Sequence, residues 1–397
     1  MDRRRFLAAG GLTAASPLFA HAATAAFPGA RTTAIGGQAR PEATPTMFTQ
    51  VNFIADGLNL RPAEYAALLA ETVAGGDVEA DNYSLGGAIE QLEQTFARLL
   101  GKEAAMFVPT GTLANHLAVR TLAGNDRRVL VQAESHLYAD SGDGATTLSG
   151  LNLIPLLPGA VTLTVDDVRP WVERSVGGRV PGKIGAISVE SPVRRLGHRM
   201  ADFSELQRLS TYARGQGIRM HLDGARLFNL PQHSGHTVHD YTQLFDTVYV
   251  SLWKHFNAAS GAILAGDAAL INGLYHTRRM FGGSLPHAWP QVAVAQRFAA
   301  TYQQDYAKAW QAAEAIIAQL RADGRFAIRK LEDGTSLFYM TVAGADHQKL
   351  AARARARGVT LAPPPSGQSE FTMQVNTSLL RMPPAKVAGV LIDALAG

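Results

Sequence analysis

From about residue 49 onward, short β-branched runs alternate with helical patterns, and this alternation limits the fold more than any other feature. Residues 104–108, 129–132, 153–157, 184–190, 219–222 and 247–252 read as strands. Residues 112–120 and 203–214 read as helices, the second from the spacing of Phe203, Leu206, Leu209 and Tyr212. Strands separated by helices imply an α/β fold, a mainly parallel sheet covered on both faces. In such sheets ligands gather beyond the carboxyl ends of the strands.

Near Pro290 the pattern changes. Residues 291–321 form an Ala-rich stretch without Pro or Gly, expected to be one long helix. A hairpin follows, 326–331 and 336–342, turned at Asp333-Gly334. A helix ending before Gly358, two short strands and a helix after Pro384 complete a smaller α+β unit. The expected division is a large domain at 49–290, with a connecting helix and small C-terminal domain at 291–397.

The amino terminus reads differently. Arg3-Arg4 followed by Phe6-Leu7 resembles a twin-arginine export signature, and Ala20-His21-Ala22 and Ala23-Thr24-Ala25 resemble cleavage sites. The intervening apolar run is broken by Gly10, Gly11 and Pro17. It is shorter than the ~20 residues a membrane span requires. Residues 1–25 are therefore expected to be a removable signal that engages the twin-arginine translocon. Residues 26–48 then form an arm or linker, and the mature protein is periplasmic or exported without a membrane span.

Charge and composition exclude other classes. The chain of 397 residues is 47% hydrophobic and 18% charged, as expected for an ordered protein. Its formal charge is +4, of which the signal's three arginines and one aspartate supply a net two. Arg353, Arg355 and Arg357 read as a solvated helix face, so nucleic acid is not suggested. The absence of Cys removes thiolate metal sites, catalytic thiols and disulfides. It also suits an oxidising compartment.

Three strand ends carry chemistry. Pro109-Thr110-Gly111-Thr112 passes from strand to helix, where outward amides and the helix dipole favour an anion such as phosphate. The run 219–222 delivers Asp223, a carboxylate able to pair with a cationic ring nitrogen. The run 247–252 delivers Lys254, whose amine becomes nucleophilic when burial strips its proton. A phosphate cradle, an anion and an amine in this order together suggest pyridoxal 5′-phosphate.

The stretch from Leu100 to Asn115 resembles the threonine aldolase and aromatic amino acid β-eliminating lyase family, within the fold-type I pyridoxal-phosphate enzymes. So do His221-Leu222-Asp223-Gly224-Ala225-Arg226, the region of Lys254, Arg278-Arg279-Met280-Phe281-Gly282-Gly283 and Asp81-Asn82-Tyr83-Ser84. The resemblance implies a carbon–carbon lyase acting on β-hydroxy-α-amino acids. It implies that Lys254 joins the cofactor aldehyde and moves protons, that Asp223 holds the pyridine nitrogen, and that Gly111 and Thr112 bind phosphate. His136 would stack on the ring, and Arg226 would hold the substrate carboxylate or the cofactor. Tyr83 and Arg279 would reach a neighbouring subunit's phosphate, which implies a homodimer or homotetramer.

The departures bear on the substrate. Ala55-Asp56 replaces the family's Ser-Asp, and Val193-Arg194 follows Glu190-Ser191-Pro192 where a His is usual. The family's carboxylate-binding Arg falls on Gln374. A neutral amide binds carboxylate more weakly than a bidentate cation. Arg194, Arg195 or Arg381 could substitute, or the reaction could be β-elimination or another amino-acid or amine conversion. A non-catalytic exported binding protein of the same fold is the remaining alternative. His233, His236 and His239 are read as surface residues, with no metal expected.

Overall fold

Parallel strands of the main sheet end along one edge, where Asp223 closes one strand and Lys254 follows another. The computed structural model describes residues 47–396. The expected signal at 1–25 and all but the last two residues of the expected arm at 26–48 lie outside these described residues. The strands are β1 (Val51–Asn52), β2 (Ala104–Val108), β3 (Arg128–Gln132), β4 (Asn152–Leu156), β5 (Ile184–Glu190) and β6 (Arg219–Asp223). They continue as β7 (Thr247–Ser251), β8 (Ala262–Gly266), β9 (Phe326–Arg329), β10 (Leu337–Val342), β11 (Val359–Thr360) and β12 (Glu370–Gln374).

The main sheet has seven strands in the order β2-β8-β7-β6-β5-β3-β4. Only β8 runs against its neighbours β2 and β7; the remaining pairs are parallel. The expected runs coincide with β2 and β5, differ from β3, β6 and β7 by one residue at one end, and from β4 by one residue at each end. The run 153–157 overshoots β4 because Leu157 takes a positive φ of 50° and leaves the strand. β8 was not foreseen, since Ala-Ile-Leu-Ala-Gly has little β-branched character. Both β7 and β8 are buried at every position, as strands covered on both faces must be.

Local signals fix the helices beside these strands. Thr110 caps the helix Gly111–Ala123 by accepting from the Leu113 amide, and Asp202 caps Phe203–Gly215 through the Glu205 amide. Phe203–Gly215 buries Leu206 and Leu209, while Phe203 and Tyr212 pack at the margin of the same core. The single long helix expected over 291–321 is instead two, Trp289–Ala299 and Tyr302–Asp323. Tertiary anchoring marks the break. The Tyr302 ring stacks on His255 at 4.6 Å, and its hydroxyl donates to Asn229 Oδ1 at 2.8 Å.

The smaller antiparallel sheet has the order β12-β10-β9. β1 pairs in parallel with β11, tying the start of the described chain to its C-terminal part. Asn376 strengthens that tie by donating to the carbonyls of Asn52 at 2.9 Å and Ala55 at 2.8 Å. The segment that ends in Asp56 is thereby held in place. No helix among the described residues is long and apolar enough to cross a membrane.

Candidate active site

The phosphate cradle expected from the sequence lies between β2 and the helix Gly111–Ala123. Glycine is required at its first helical position, because a Cβ on Gly111 would lie 2.0 Å from the Tyr249 hydroxyl and 2.4 Å from its ring. Thr112 is exposed on the first turn, and Ser260 donates to the Pro109 carbonyl at 2.8 Å. The helix start therefore presents amides and a hydroxyl over a packed floor, the chemistry that suits an anion.

Asp223 ends β6 and is 3% exposed. Its Oδ1 accepts from the Ala225 amide at 3.1 Å, and its Oδ2 accepts from Asn115 Nδ2 at 2.6 Å. Asn115 Oδ1 lies 2.8 Å from His221 Nε2, and His221 Nδ1 lies 2.9 Å from Thr247 Oγ1. Because Asn115 turns its amino group to a carboxylate, its oxygen must accept from His221. This assigns the His221 proton to Nε2 and leaves Nδ1 to accept from Thr247. Burial lowers His221 to about 4, so the ring is neutral near pH 7.

Lys254 lies in the short helix Leu252–His255 that follows β7, with its amide donating to Ser251 Oγ at 3.4 Å. Burial, aided by the Arg226 charge, lowers the amine to about 8. Asp223, Asp56 and Glu190 oppose that shift and therefore lie within electrostatic reach of it. His136 begins a helical turn beyond β3, and burial keeps its ring below the ordinary histidine value against the pull of Asp223. Lys254, Asp223, His136 and the cradle thus meet along one edge of the main sheet.

Other expected residues are held differently. Arg226 is buried, and its Nε and Nη2 donate to the two oxygens of Asp56 at 2.7 and 2.9 Å. That pairing holds Asp56 well below the carboxylate range despite burial. Tyr83 and Arg279 are both exposed, with the guanidinium 4.8 Å from the ring centre. Gln374 is 5% exposed on β12, where its backbone N–H donates to the Phe53 carbonyl at 2.9 Å. Its side chain reaches only the Val375 carbonyl, at 3.4 Å.

The possible substitutes for a carboxylate anchor are also engaged. Arg194 and Arg195 both pair with Asp140, at 2.5 and 2.7 Å. Arg381 donates through Nη1 to the Gln50 carbonyl at 3.1 Å and lies over the Phe48 ring, while its buried Nη2 has no hydrogen-bond partner among the described residues. The histidine cluster departs from its expected surface position. His233 is half-buried against Trp310, lies 3.0 Å from the Tyr306 hydroxyl and is lowered to about 4 by burial. His236 stacks on Phe203 at 3.7 Å, and only His239 is exposed. Among the described residues, no group of three or more acidic or histidine side chains could hold a metal.

Sequence reasoning missed Glu190 as a site residue. It is 3% exposed at the end of β5, beside Asp223 in the sheet register. Its oxygens accept from the amides of His136 at 2.5 Å and Arg194 at 2.8 Å. Burial, then the Asp223 charge, raises its carboxyl well above the ordinary range. A charged residue closing a strand otherwise without charge was the available signal.

A helix start for a phosphate, a carboxylate for a ring nitrogen and a buried amine for an aldehyde form the donor set that pyridoxal 5′-phosphate requires. The residues fit that group. A mixed, mainly parallel sheet with this set at its carboxyl edge defines a fold-type I pyridoxal-phosphate enzyme. The chain belongs to the beta-eliminating lyase family, whose sequence model matches residues 63–374.

Individual similarities agree with the family. The low specificity L-threonine aldolase of Saccharomyces cerevisiae is 28% identical over 252 residues, covering 62% of each chain. The alanine racemase TOXG of Cochliobolus carbonum is 30% identical over 237 residues, covering 59% of each. These matches span about six-tenths of the curated relatives' length. The crystal structure of a putative L-allo-threonine aldolase from Listeria monocytogenes superposes with a TM-score of 0.70 and 26% identity. That superposition covers 83% of this chain and 92% of the other.

Proposed function

We propose that this chain is a pyridoxal-phosphate-dependent carbon–carbon lyase of threonine aldolase type, cleaving a β-hydroxy-α-amino acid to glycine and an aldehyde. The observation that carries this reading is the convergence of a lowered Lys254 with Asp223 and His136 beside the Gly111 cradle. When bound, the cofactor supplies an aldehyde for exchange with the substrate amine and a ring that accepts the electrons of the broken bond. Gly111 and Thr112 would hold the phosphate. Asp223 would accept a charge-assisted hydrogen bond from the protonated ring nitrogen and keep it protonated. His136 would stack on the ring.

Lys254 offers a neutral amine at a lower pH than an ordinary lysine, and can return a proton once displaced. A lowered amine beside a carboxylate goes beyond what binding alone requires, which disfavours a non-catalytic relative. β-Elimination or another amino-acid conversion is the second reading. It is favoured by Gln374, a tucked-in amide where the family carries a carboxylate-binding cation, and by Arg194 and Arg195, both paired with Asp140.

The purified protein with added cofactor should absorb near ~420 nm, and Lys254→Ala should abolish the band. Release of aldehyde from a panel of β-hydroxy amino acids then tests the cleavage. Pyruvate or ammonia without aldehyde would assign elimination instead. A protein that stays colourless with added cofactor overturns the enzyme reading.

The proposed assembly is a homodimer or homotetramer in which the exposed Tyr83–Arg279 pair reaches a neighbour's cofactor phosphate. Residues 1–25 are proposed to direct folded export to the periplasm, on the strength of Arg3-Arg4 and Phe6-Leu7. Fractionation of an Arg3→Lys/Arg4→Lys variant tests the route. Undiminished export of that variant rejects it.

A further inference from the structure

Resting on the cofactor reading above, we infer that Asn115, His221 and Thr247 form a buried relay of positioning residues that fixes how Asp223 faces the ring nitrogen. The relay crosses three elements. Thr247 stands on β7, His221 on β6, and Asn115 on the first turns of the helix Gly111–Ala123. All three side chains are fully buried, at 0% exposure. Each polar group has one matching partner: Thr247 Oγ1 donates to His221 Nδ1, His221 Nε2 donates to Asn115 Oδ1, and Asn115 Nδ2 donates to Asp223 Oδ2.

The direction of the chain carries the argument. An asparagine can offer a carboxylate either its amino group or its oxygen, and the wrong face would repel. His221 decides the choice, provided its proton sits on Nε2. Thr247 completes that arrangement, its hydroxyl donating to the Nδ1 that the tautomer leaves as an acceptor. The neutral state of His221 follows from burial, so no second charge competes with Asp223. With Oδ2 tied to Asn115 and Oδ1 to the Ala225 amide, rotation of the carboxylate about Cβ–Cγ is arrested. Outer hydrogen bonds of this kind set the orientation of the group that touches a cofactor, and their loss typically weakens binding about 10–100-fold at metal sites.

The relay also joins the two ends of the cofactor site. Asn115 lies one helical turn beyond Gly111, so the helix that offers its start to the phosphate also holds Asp223. Errors in one anchor are transmitted to the other through a rigid element. A network with every member satisfied supports such coupling better than separate bonds do.

The experiment is a double-mutant cycle on the full chain, with cofactor affinity, the absorbance band and the melting temperature of the cofactor-free protein as readouts. Asn115→Ala should weaken cofactor binding by about tenfold or more. It should also shift the pH midpoint of the band near ~420 nm, whereas a purely structural role would lower only the melting temperature. Asn115→Ala combined with His221→Ala should lose little beyond the worse single variant, because the relay acts through one bond to Asp223. Thr247→Val, close in shape and separated from Asp223 by His221 and Asn115, is the second arm if Asn115→Ala does not fold. It should shift the same pH midpoint in the same direction.

An Asn115→Ala protein with wild-type affinity and pH midpoint overturns the relay. So do losses that add across the cycle, or a Thr247→Val protein identical to wild type where that arm is the one measured. A wild-type protein that takes up no pyridoxal phosphate removes the cofactor reading itself. That outcome is told apart from failure of the relay alone, in which wild type and variants load equally.

Discussion

The backbone amide of His136 donates to Oε2 of Glu190 at 2.5 Å, while the other oxygen of the same carboxyl accepts from the amide of Arg194 at 2.8 Å. One buried side chain therefore pins two loops, one beyond β3 and one beyond β5, to the edge where Asp223 stands. Both loops supply candidate site residues. Glu190 thus sets the geometry of the site without any contact to substrate being required of it.

Replacing Glu190 by Gln tests that clamp. Gln has one acceptor oxygen, so one of the two part-buried amides faces an NH₂ group and loses its partner. A fully buried unsatisfied group costs about 1–3 kcal/mol, and a part-buried one costs less. Glu190→Gln should therefore lower stability in denaturant melts at neutral pH and weaken cofactor retention. The pH dependence has a definite sign. Because burial raises the folded value of Glu190, the native state binds more protons than the unfolded chain between the ordinary carboxylate range and that raised value. Wild-type stability should fall through this window as pH rises. The variant should lack that component, a difference readable in melting temperatures from mildly acid to neutral pH.

Lys254 supplies a second pH prediction. Its amine is lowered from 10.5 to about 8, so below that value the native state holds a charge it would rather lose. The unfolded chain binds more protons between those two values, and stability should rise with pH across them. Lys254→Met removes the buried charge and keeps the bulk. The cofactor-free variant should melt higher than wild type at neutral pH, with the advantage fading towards pH ~10. A lower melting temperature at neutral pH would show that Lys254 is paired rather than strained. The same variant should carry no band near ~420 nm.

Substitution within the buried pair of Arg226 and Asp56 should act oppositely, destabilising the fold where Lys254→Met stabilises it, although stability again rises with pH. Their side chains are only 6% and 10% exposed, and the bond is bidentate. Removing one partner strands the other charge, a change that costs about 3–5 kcal/mol. Asp56→Asn should therefore destabilise strongly in chemical denaturation. The folded value of Asp56 is depressed, so its contribution is present above the ordinary aspartate range and is lost as pH falls through the folded value. Acid unfolding of wild type should include this loss, and the Asn variant should show a shallower acid limb.

Much of this site was legible because its main residues sit beside the strands that deliver them. Asp223 and Lys254 each follow a short apolar run, and Gly111 opens a helix with a capping Thr110, so position and chemistry are read from the same few residues. The relay was not legible, because Asn115 meets Asp223 across 108 positions of sequence. Pairing them requires knowing that the helix Gly111–Ala123 lies on β6. The Arg226–Asp56 bond spans 170 positions and depends on the β1–β11 pairing that places Asp56. The break between Trp289–Ala299 and Tyr302–Asp323 has no Pro or Gly to announce it. His255 and Asn229, both distant in sequence, hold Tyr302 at the break. His233 and His236 were misplaced for the same reason: the aromatic partners that half-bury them, Trp310 and Phe203, come from other elements.

The cradle offers the sharpest steric test. A methyl on Gly111 would meet the Tyr249 hydroxyl at 2.0 Å and Cζ of the same ring at 2.4 Å. Either the ring or the helix start must move, and overpacking of this kind costs about 1–3 kcal/mol. Gly111→Ala should lower stability and, by shifting the first turn, weaken binding of the cofactor phosphate. Tyr249→Phe should not rescue it, because the ring carbon still collides. Tyr249→Ala, which clears the ring, should restore cofactor affinity towards the level of Tyr249→Ala alone while leaving the stability loss of a cavity. Affinity can be followed by titrating the cofactor-free protein, and stability by denaturant melts. Equal rescue by Phe and Ala would place the clash on the hydroxyl alone. No rescue by Ala would mean that Gly111 is needed for close approach of the phosphate itself.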